Sequence, residues 1–455
     1  MSDTIAAIST PAAPAGLGIV RLSGDDAPVI ADRLFRPLQE GRTPSAMKGY
    51  TAAFGHVFDA DGDIDECVLT VFRAPHSYTG ENVVELSCHG GLYLLRRVLR
   101  ACLSAGARPA TAGEFTRRAF LNGKMDLTRA ESVMSLISAN GRLAARTALA
   151  AHEGGIFRRL ESVKASLLEV AAQFGAFVDY PDEDIPELEP AALKSRVADA
   201  IRTVEKLLST FDAGRVLREG VDTAIVGAPN VGKSTLMNAL AGCERSIVTD
   251  VAGTTRDVVE ETVRLGDVCL RLADTAGIRE TGDRVETVGV EKARSRLATA
   301  ALVLAVFDGS RPLNGDDKAL AEEAAQGASI AVINKSDLPE AIERDWLAER
   351  FSRVVTLSAK ETQGINELAD AVAEVTGVEA LDAAEPVLAT ERQRQCAARC
   401  LECLNEAQAA LDTGMTLDAV SVSLDGAIGA LLELTGERTT EAVVDEVFAR
   451  FCVGK

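Results

Sequence analysis

Basic residues are in short supply: 48 Lys and Arg stand against 68 Asp and Glu in 455 residues, a formal net charge of −20. A phosphate-binding surface usually carries a basic excess, so this balance opposes nonspecific nucleic-acid binding. An RNA substrate would have to be held by a local patch or by a partner. Disulfide-scaffold spacing is missing too. The nine cysteines, at positions 67, 88, 102, 243, 269, 396, 400, 403 and 452, are odd in number and scattered, and they read as reduced thiols in a cytosol. No apolar stretch of about 18 residues runs without charge. The opening MSDTIAAISTPAAPAG has neither a basic n-region nor an apolar h-region. The expectation is a soluble, cytoplasmic protein with no membrane association.

The chain is too long for one core, and at roughly 100–200 residues per domain it should hold two to four. Residues 1–118 mix strand-like runs (IVRL, CVLTVF, VVEL) with a helical stretch, GLYLLRRVLRACLSAG, and suggest an α+β domain. Residues 119–217 are helical almost throughout, with one acidic, proline-bearing break, DYPDEDIPELEP (179–190), read as a solvated loop. Residues 218–377 alternate strand and helix, which implies a mostly parallel sheet covered on both faces. Residues 378–455 return to helix. The expected architecture is multidomain: an α/β, Ras-like P-loop domain inserted into an all-α domain, preceded by the α+β domain.

GAPNVGKS (227–234) fits G-x-x-x-x-G-K-[ST] between a strand, VDTAIV, and a helix, STLMNAL. In such a loop the backbone N–H groups of Asn230, Val231 and Gly232 wrap phosphates. Lys233 supplies charge to the β and γ phosphates, and Ser234, next to Thr235, can ligate Mg²⁺. DTAG (Asp274, Thr275, Ala276, Gly277) follows the run VCLRLA, where a carboxylate near Mg²⁺ and a γ-phosphate-sensing N–H belong. NKSD follows SIAVI. There Asp337, with Asn334 and Lys335, can accept from guanine N1 and its exocyclic amine, a pattern adenine lacks. SAK (Ser358, Ala359, Lys360) would close over the base. Four such motifs in order point to a GTP site. Between the first two, the stretch Thr249, Asp250, Val251, Ala252, Gly253, Thr254, Thr255 offers Thr255 as an Mg²⁺ ligand that orders with the γ-phosphate.

Ras-like enzymes place a water-orienting glutamine directly after DxxG; here that residue is Ile278. Glu286 is a candidate replacement, or else a solvated glutamate at a helix start. Asn230 can offer a carbonyl to a cation beside the phosphates, supplying charge that an arginine finger supplies elsewhere. CAARCLEC (396–403) has the spacing of a radical-SAM cluster, but it lies within a helical pattern and reads as helix packing. His89 in CHGG reads as a turn histidine. The final FCVGK either frays or brings Cys452 and Lys455 to a site, and the thiol can serve as nucleophile, redox group or packing.

Over its whole length the chain resembles the tRNA uridine-modification GTPases of the MnmE, or TrmE, family. The resemblance rests on TAGEFTRRAFLNGKMDL (111–127), the inserted GAPNVGKS, AGTTRD, DTAG and NKSD, and the terminal CVGK. The GTPase motifs are shared with other GTPases, whereas EFTRRAFLNGK and C-x-G-K are more specific. The resemblance implies a homodimer with an N-terminal folate-binding domain. It also implies a partner, the FAD-dependent MnmG (GidA), which draws on NADH. Together they would install an aminomethyl or carboxymethylaminomethyl group on C5 of the wobble uridine of certain tRNAs, with 5,10-methylene-tetrahydrofolate as carbon source.

By matching position the resemblance implies folate contacts at Arg21, Glu85 and Lys124, with Lys455 reaching the same site. It implies K⁺ on Asn230 and on Thr249, Val251 and Thr254, Mg²⁺ on Ser234 and Thr255, and catalytic roles for Lys233, Glu286 and Cys452. Val453 stands where the family has isoleucine, a conservative difference. Two competing functions are an Era-like ribosome-assembly switch, which would leave the N-terminal region and the tail unexplained, and folate storage or one-carbon transfer, which would leave the GTPase without a purpose.

Overall fold

The computed structural model describes residues 3–179, 190–242, 261–272, 300–382 and 385–455. Most of the acidic break at 179–190 lies outside the described residues. The chain forms two compact units, Met1–Met134 with Leu432–Lys455, and Ser135–Leu431.

The first unit is built on β1 (Ile5–Ile8), β2 (Ala15–Ser23), β3 (Phe35–Pro37), β4 (Thr51–Asp59), β5 (Gly62–Phe72), β6 (Val83–Gly90) and β7 (Arg108–Pro109). These form one sheet in the order β3-β4-β5-β6-β2-β1-β7. Alternation sorts the side chains: Val20, Leu22, Leu69, Val71, Val84 and Leu86 point to one face and are fully buried. Against them packs the helix Leu92–Ser104 through Leu95, Val98 and Cys102. Arg21 and Glu85 fall on the opposite parity. They are direct cross-strand partners, and Glu85 is in turn the partner of Thr70.

The helix Glu441–Ala449 and the residues after it belong to this unit because their apolar side chains need its cover. Val444, Phe448 and Phe451 share a core cluster with Ala119, Leu127, Ala130 and Val133. The tail continues as an isolated bridge between Val453 and Ala112.

The second unit contains β8 (Val221–Val226), β9 (Glu261–Leu265), β10 (Val268–Leu272), β11 (Leu302–Asp308), β12 (Ser329–Asn334) and β13 (Arg353–Thr356), in sheet order β13-β12-β11-β8-β10-β9. All neighbours are parallel except β9 and β10. β12 is buried at every position and β11 at all but its last, which is why both read as continuous apolar runs: helices cover both faces. Helices Pro190–Ser209 and Glu391–Asp412 belong to the helical region of this unit. Cys396 and Cys400 lie buried on the packed face of the latter. Where the chain passes between helical region and sheet, Thr210 Oγ1 accepts from the Leu388 N–H at 3.3 Å, and Gly214 leaves room for Val387, which a Cβ would meet at 2.3 Å. Among the described residues no helix is long and apolar enough to cross a membrane.

Candidate functional site

The phosphate loop lies between β8 and the helix Lys233–Gly242. At Gly227 the backbone runs so close to β11 that a Cβ would sit 2.5 Å from the Val306 carbonyl oxygen. Gly232 has φ +97, and a Cβ there would be 2.2 Å from the Asn334 amide nitrogen, so glycine is required on both counts. Lys233 reaches back over the loop and donates to the carbonyls of Gly227 and Ala228, each at 2.8 Å. Burial lowers its ammonium pKa from the ordinary lysine value. Asn230 takes φ +63 and is exposed, as are Ser234 and Thr235 at the start of the helix, while Val231 is buried.

The base side is tied to this loop by one buried side chain. Asn334 Nδ2 donates to the Val231 carbonyl at 2.9 Å, and its Oδ1 accepts from the Ala359 N–H at 3.0 Å. NKSD, SAK and the phosphate loop therefore converge at the C-terminal ends of parallel strands, where open α/β sheets bind ligands. Ser358, fully buried, donates to Asp337 Oδ1 at 2.7 Å and holds that exposed carboxyl below its usual range. Each carboxylate oxygen has two lone-pair sites, so Asp337 keeps capacity for a base. Lys360 is exposed.

Lys335, at φ +69, places its ammonium 2.6 Å from Asp308 at the end of β11. Burial opposes ionisation of Asp308, but hydrogen bonds from Lys335 and Ser310 outweigh it and keep the carboxyl below its ordinary range. Asp308 escaped the sequence reading, and its only signal is an acid at the end of an apolar strand. Residues Thr249 to Thr255, Asp274 to Gly277, Ile278 and Glu286 lie outside the described residues.

The second cluster is in the other unit. Arg21 donates through Nε to Glu85 Oε1 at 2.8 Å, its Nη2 lies 2.8 Å from the same oxygen, and Nη1 donates weakly to the Gly454 carbonyl at 3.5 Å. The tail is fixed through its backbone: the Gly113 N–H donates to Cys452 O at 3.3 Å and the Phe115 N–H to Lys455 O at 3.2 Å. Gly454 has φ +100 and packs so tightly that a Cβ would meet the Ile8 carbonyl oxygen at 2.4 Å. The Lys455 ammonium is half-buried. Burial and the Arg21 cation lower its pKa, against an opposing pull from Glu85 and Cys452.

The structure thus brings Arg21, Glu85 and Lys455 together. Lys124 donates to the Pro75 carbonyl at 2.9 Å, and Cys452 is exposed. Two rings that the sequence reading did not place beside Arg21, those of Tyr78 and of Phe115 in the EFTRRAFLNGK stretch, have their centroids 5.7 and 5.6 Å from the Arg21 guanidinium carbon. His89 corrects an expectation: it sits in β6, not in a turn. Asp65 binds both its backbone N–H and its ring Nδ1 at 2.7 Å, and that bond raises the imidazole pKa.

Comparison with known proteins covers the whole chain. The family model described as MnmE helical domain matches residues 127–452, and that described as GTP-binding protein TrmE N-terminus matches residues 4–124. The tRNA modification GTPase MnmE of Geobacter sulfurreducens is 44% identical over 460 residues, covering 100% of both chains. Its namesake in Symbiobacterium thermophilum is 43% identical over 457 residues, covering 100% of this chain and 99% of that one. That of Lactiplantibacillus plantarum is 39% identical over 460 residues, covering 100% and 98%.

Proposed function

The chain belongs to the family of tRNA modification GTPases called MnmE, and on that premise we propose that it hydrolyses GTP to drive conformational cycling during modification of the wobble uridine of tRNA. The observation that carries the GTP part is the Asn334 bridge, which fixes a phosphate loop and a guanine-reading loop against each other at the C-terminal edge of a parallel sheet.

GTP enters with its phosphates on the 227–234 loop and its base against Asp337. Lys233 gives up the carbonyls of Gly227 and Ala228 to meet the β and γ phosphates, so its ammonium exchanges neutral acceptors for anionic ones. Water attacks the γ-phosphate in line, with Glu286 as the orienting residue in place of a glutamine. The exposed hydroxyl of Ser234 fits a magnesium ligand, with Thr255 as its companion. The exposed carboxamide of Asn230 fits a potassium ligand, with Thr249, Val251 and Thr254. When bound, these ions supply positive charge that offsets the negative charge developing on the phosphoryl oxygens.

The Arg21 cluster suits a reduced folate such as 5,10-methylene-tetrahydrofolate. Arg21 and Lys455 bring two side-chain cations beside Glu85, and either can turn to an anionic ligand group. Glu85 spends Oε1 on Arg21 and keeps Oε2 for a pterin N–H. Lys124 and Cys452 complete the proposed site. Cys452 has three open roles, as nucleophile, redox group or packing. The protein would act as a homodimer with an FAD-dependent partner of the MnmG kind that uses NADH. Because the N-terminal family model accounts for residues 4–124, an Era-like assembly switch is the poorer reading.

Nucleoside mass spectrometry of total tRNA tests this reading in a strain lacking the gene. The wobble modification should vanish and return with the wild-type chain. Intact modification in the deletion strain would overturn the tRNA role. Steady-state GTP hydrolysis should be faster in K⁺ than in Na⁺, and equal rates would remove the potassium ion.

A further inference from the structure

The folate reading leaves open what aims Arg21. The guanidinium donates through Nε to Glu85 and pairs through Nη2 with the same oxygen, while Nη1 makes only a long 3.5 Å bond to Gly454 O; each Nη carries two N–H groups, so donors remain for a ligand. An arginine side chain carries much rotamer freedom, and one ion pair does not fix the plane of its fork.

The two aromatic rings supply that constraint. Tyr78 and Phe115 both lie within cation–π range of Arg21 Cζ. Phe115 is fully buried. Tyr78 is pinned at its far end by a 2.8 Å hydrogen bond between its hydroxyl and that of Thr116, which is also fully buried. Its backbone neighbourhood is held as well: Asn122 donates to Thr79 O at 2.7 Å, and Lys124 donates to Pro75 O at 2.9 Å. A single helix, Glu114–Leu121, therefore carries Phe115 and Thr116, while its first turn receives the Lys455 carbonyl through the Phe115 N–H.

We infer that Tyr78, locked by Thr116 and assisted by Phe115, is a positioning residue that fixes the Arg21 guanidinium for an anionic or carbonyl-bearing group of a reduced folate. This inference rests on the folate reading. Tyr78 acts through Arg21, so its effect disappears when Arg21 can no longer present a fork.

The test is a double-mutant cycle read by calorimetric titration of the full chain with 5-formyl-tetrahydrofolate, a stable reduced folate. Tyr78→Leu should weaken binding about 10-fold, the size of a partly desolvated cation–π contact. Tyr78→Phe, which keeps the ring, should stay within about 3-fold of wild type. In an Arg21→Lys background Tyr78→Leu should change affinity by less than about 2-fold, because the group it positions is gone. Additive losses across the cycle, or wild-type affinity in Tyr78→Leu, overturn the inference and leave the folate site standing. Absence of binding by the wild-type chain overturns both. Should Tyr78→Leu fail to fold by thermal melting, Phe115→Leu enters the same cycle with the same expected pattern.

Discussion

Asn334 and Val231 are 103 residues apart in sequence, and the carboxamide of one donates to the carbonyl of the other at 2.9 Å in a buried site. With the Ala359 N–H on its other atom, Asn334 satisfies two backbone groups of two loops at once. Asn334→Ala leaves both without a partner and should lower the stability of its unit by about 2 kcal/mol or more. GTP affinity should fall with it, and thermal unfolding paired with fluorescent-nucleotide titration measures both. Gly232→Ala strikes the same contact from the other side. It should abolish measurable GTP binding and lower the melting temperature at least as much, because the methyl displaces the Asn334 amide and the left-handed backbone is strained as well.

Asp337 offers two acceptors to a base that presents two donors. Asp337→Asn converts one acceptor to a donor, which faces a guanine N–H badly and the C2 carbonyl of xanthine well. GTP affinity should fall by at least about 100-fold and XTP affinity should rise. Competition between the two nucleotides for a fluorescent analogue decides it, and unchanged preference would remove Asp337 from the base site.

Glu114 gives the first unit an acid limit. Burial would raise its pKa, but Arg108, the Thr111 N–H and Arg118 outweigh that and bring it down to about 2. A carboxylate whose folded pKa lies below its unfolded value stabilises the fold above the unfolded pKa and loses that contribution as pH falls toward the folded one. Stability should therefore drop steadily from the ordinary glutamate range, 4.5 by reference, to about 2. In Glu114→Gln that slope should flatten, at a cost near neutral pH of about 2–3 kcal/mol. Denaturant melts at stepped pH supply the measurement.

Gly454 holds the tail in register. At φ +100, where a Cβ would meet the Ile8 carbonyl oxygen at 2.4 Å, Gly454→Ala must shift the backbone on both sides. The Gly113 and Phe115 amides, which donate to the tail, should exchange with solvent at least about 10-fold faster. Reduced-folate affinity should fall in parallel, and unchanged exchange would show that the tail tolerates the methyl group.

Elements covered on both faces announced themselves: ALVLAVF and SIAVIN read as near-continuous apolar runs, and VDTAIV, despite Asp222 and Thr223, leads directly into the phosphate loop. β4 did not announce itself, since Thr51–Asp59 opens on two small alanines and carries Gly55, where a Cβ would meet Arg36 O at 2.3 Å. Within the helical region that begins at 119, Leu127–Ile137 and Arg142–His152 are separate helices, with Gly141 capping the second. Motif loops were readable because their geometry is local. Arg21 and Glu85 face each other through a register between strands 64 residues apart, which no spacing predicts, and the family resemblance named them instead. Tyr78 and Phe115 meet Arg21 through tertiary contacts that no spacing predicts, and Asp308 left only an acid closing an apolar strand.

Phe448 and Phe451 fill the core that Ala119, Leu127, Ala130 and Val133 begin. On the ribosome those early residues emerge long before the two phenylalanines that cover them. At about 5–20 residues per second the wait is roughly 15–60 s, during which an apolar face stands open to water and to chaperones. The first unit to be synthesised is therefore the last to be completed, and its yield in the cell depends on how well the nascent chain is shielded until the end arrives.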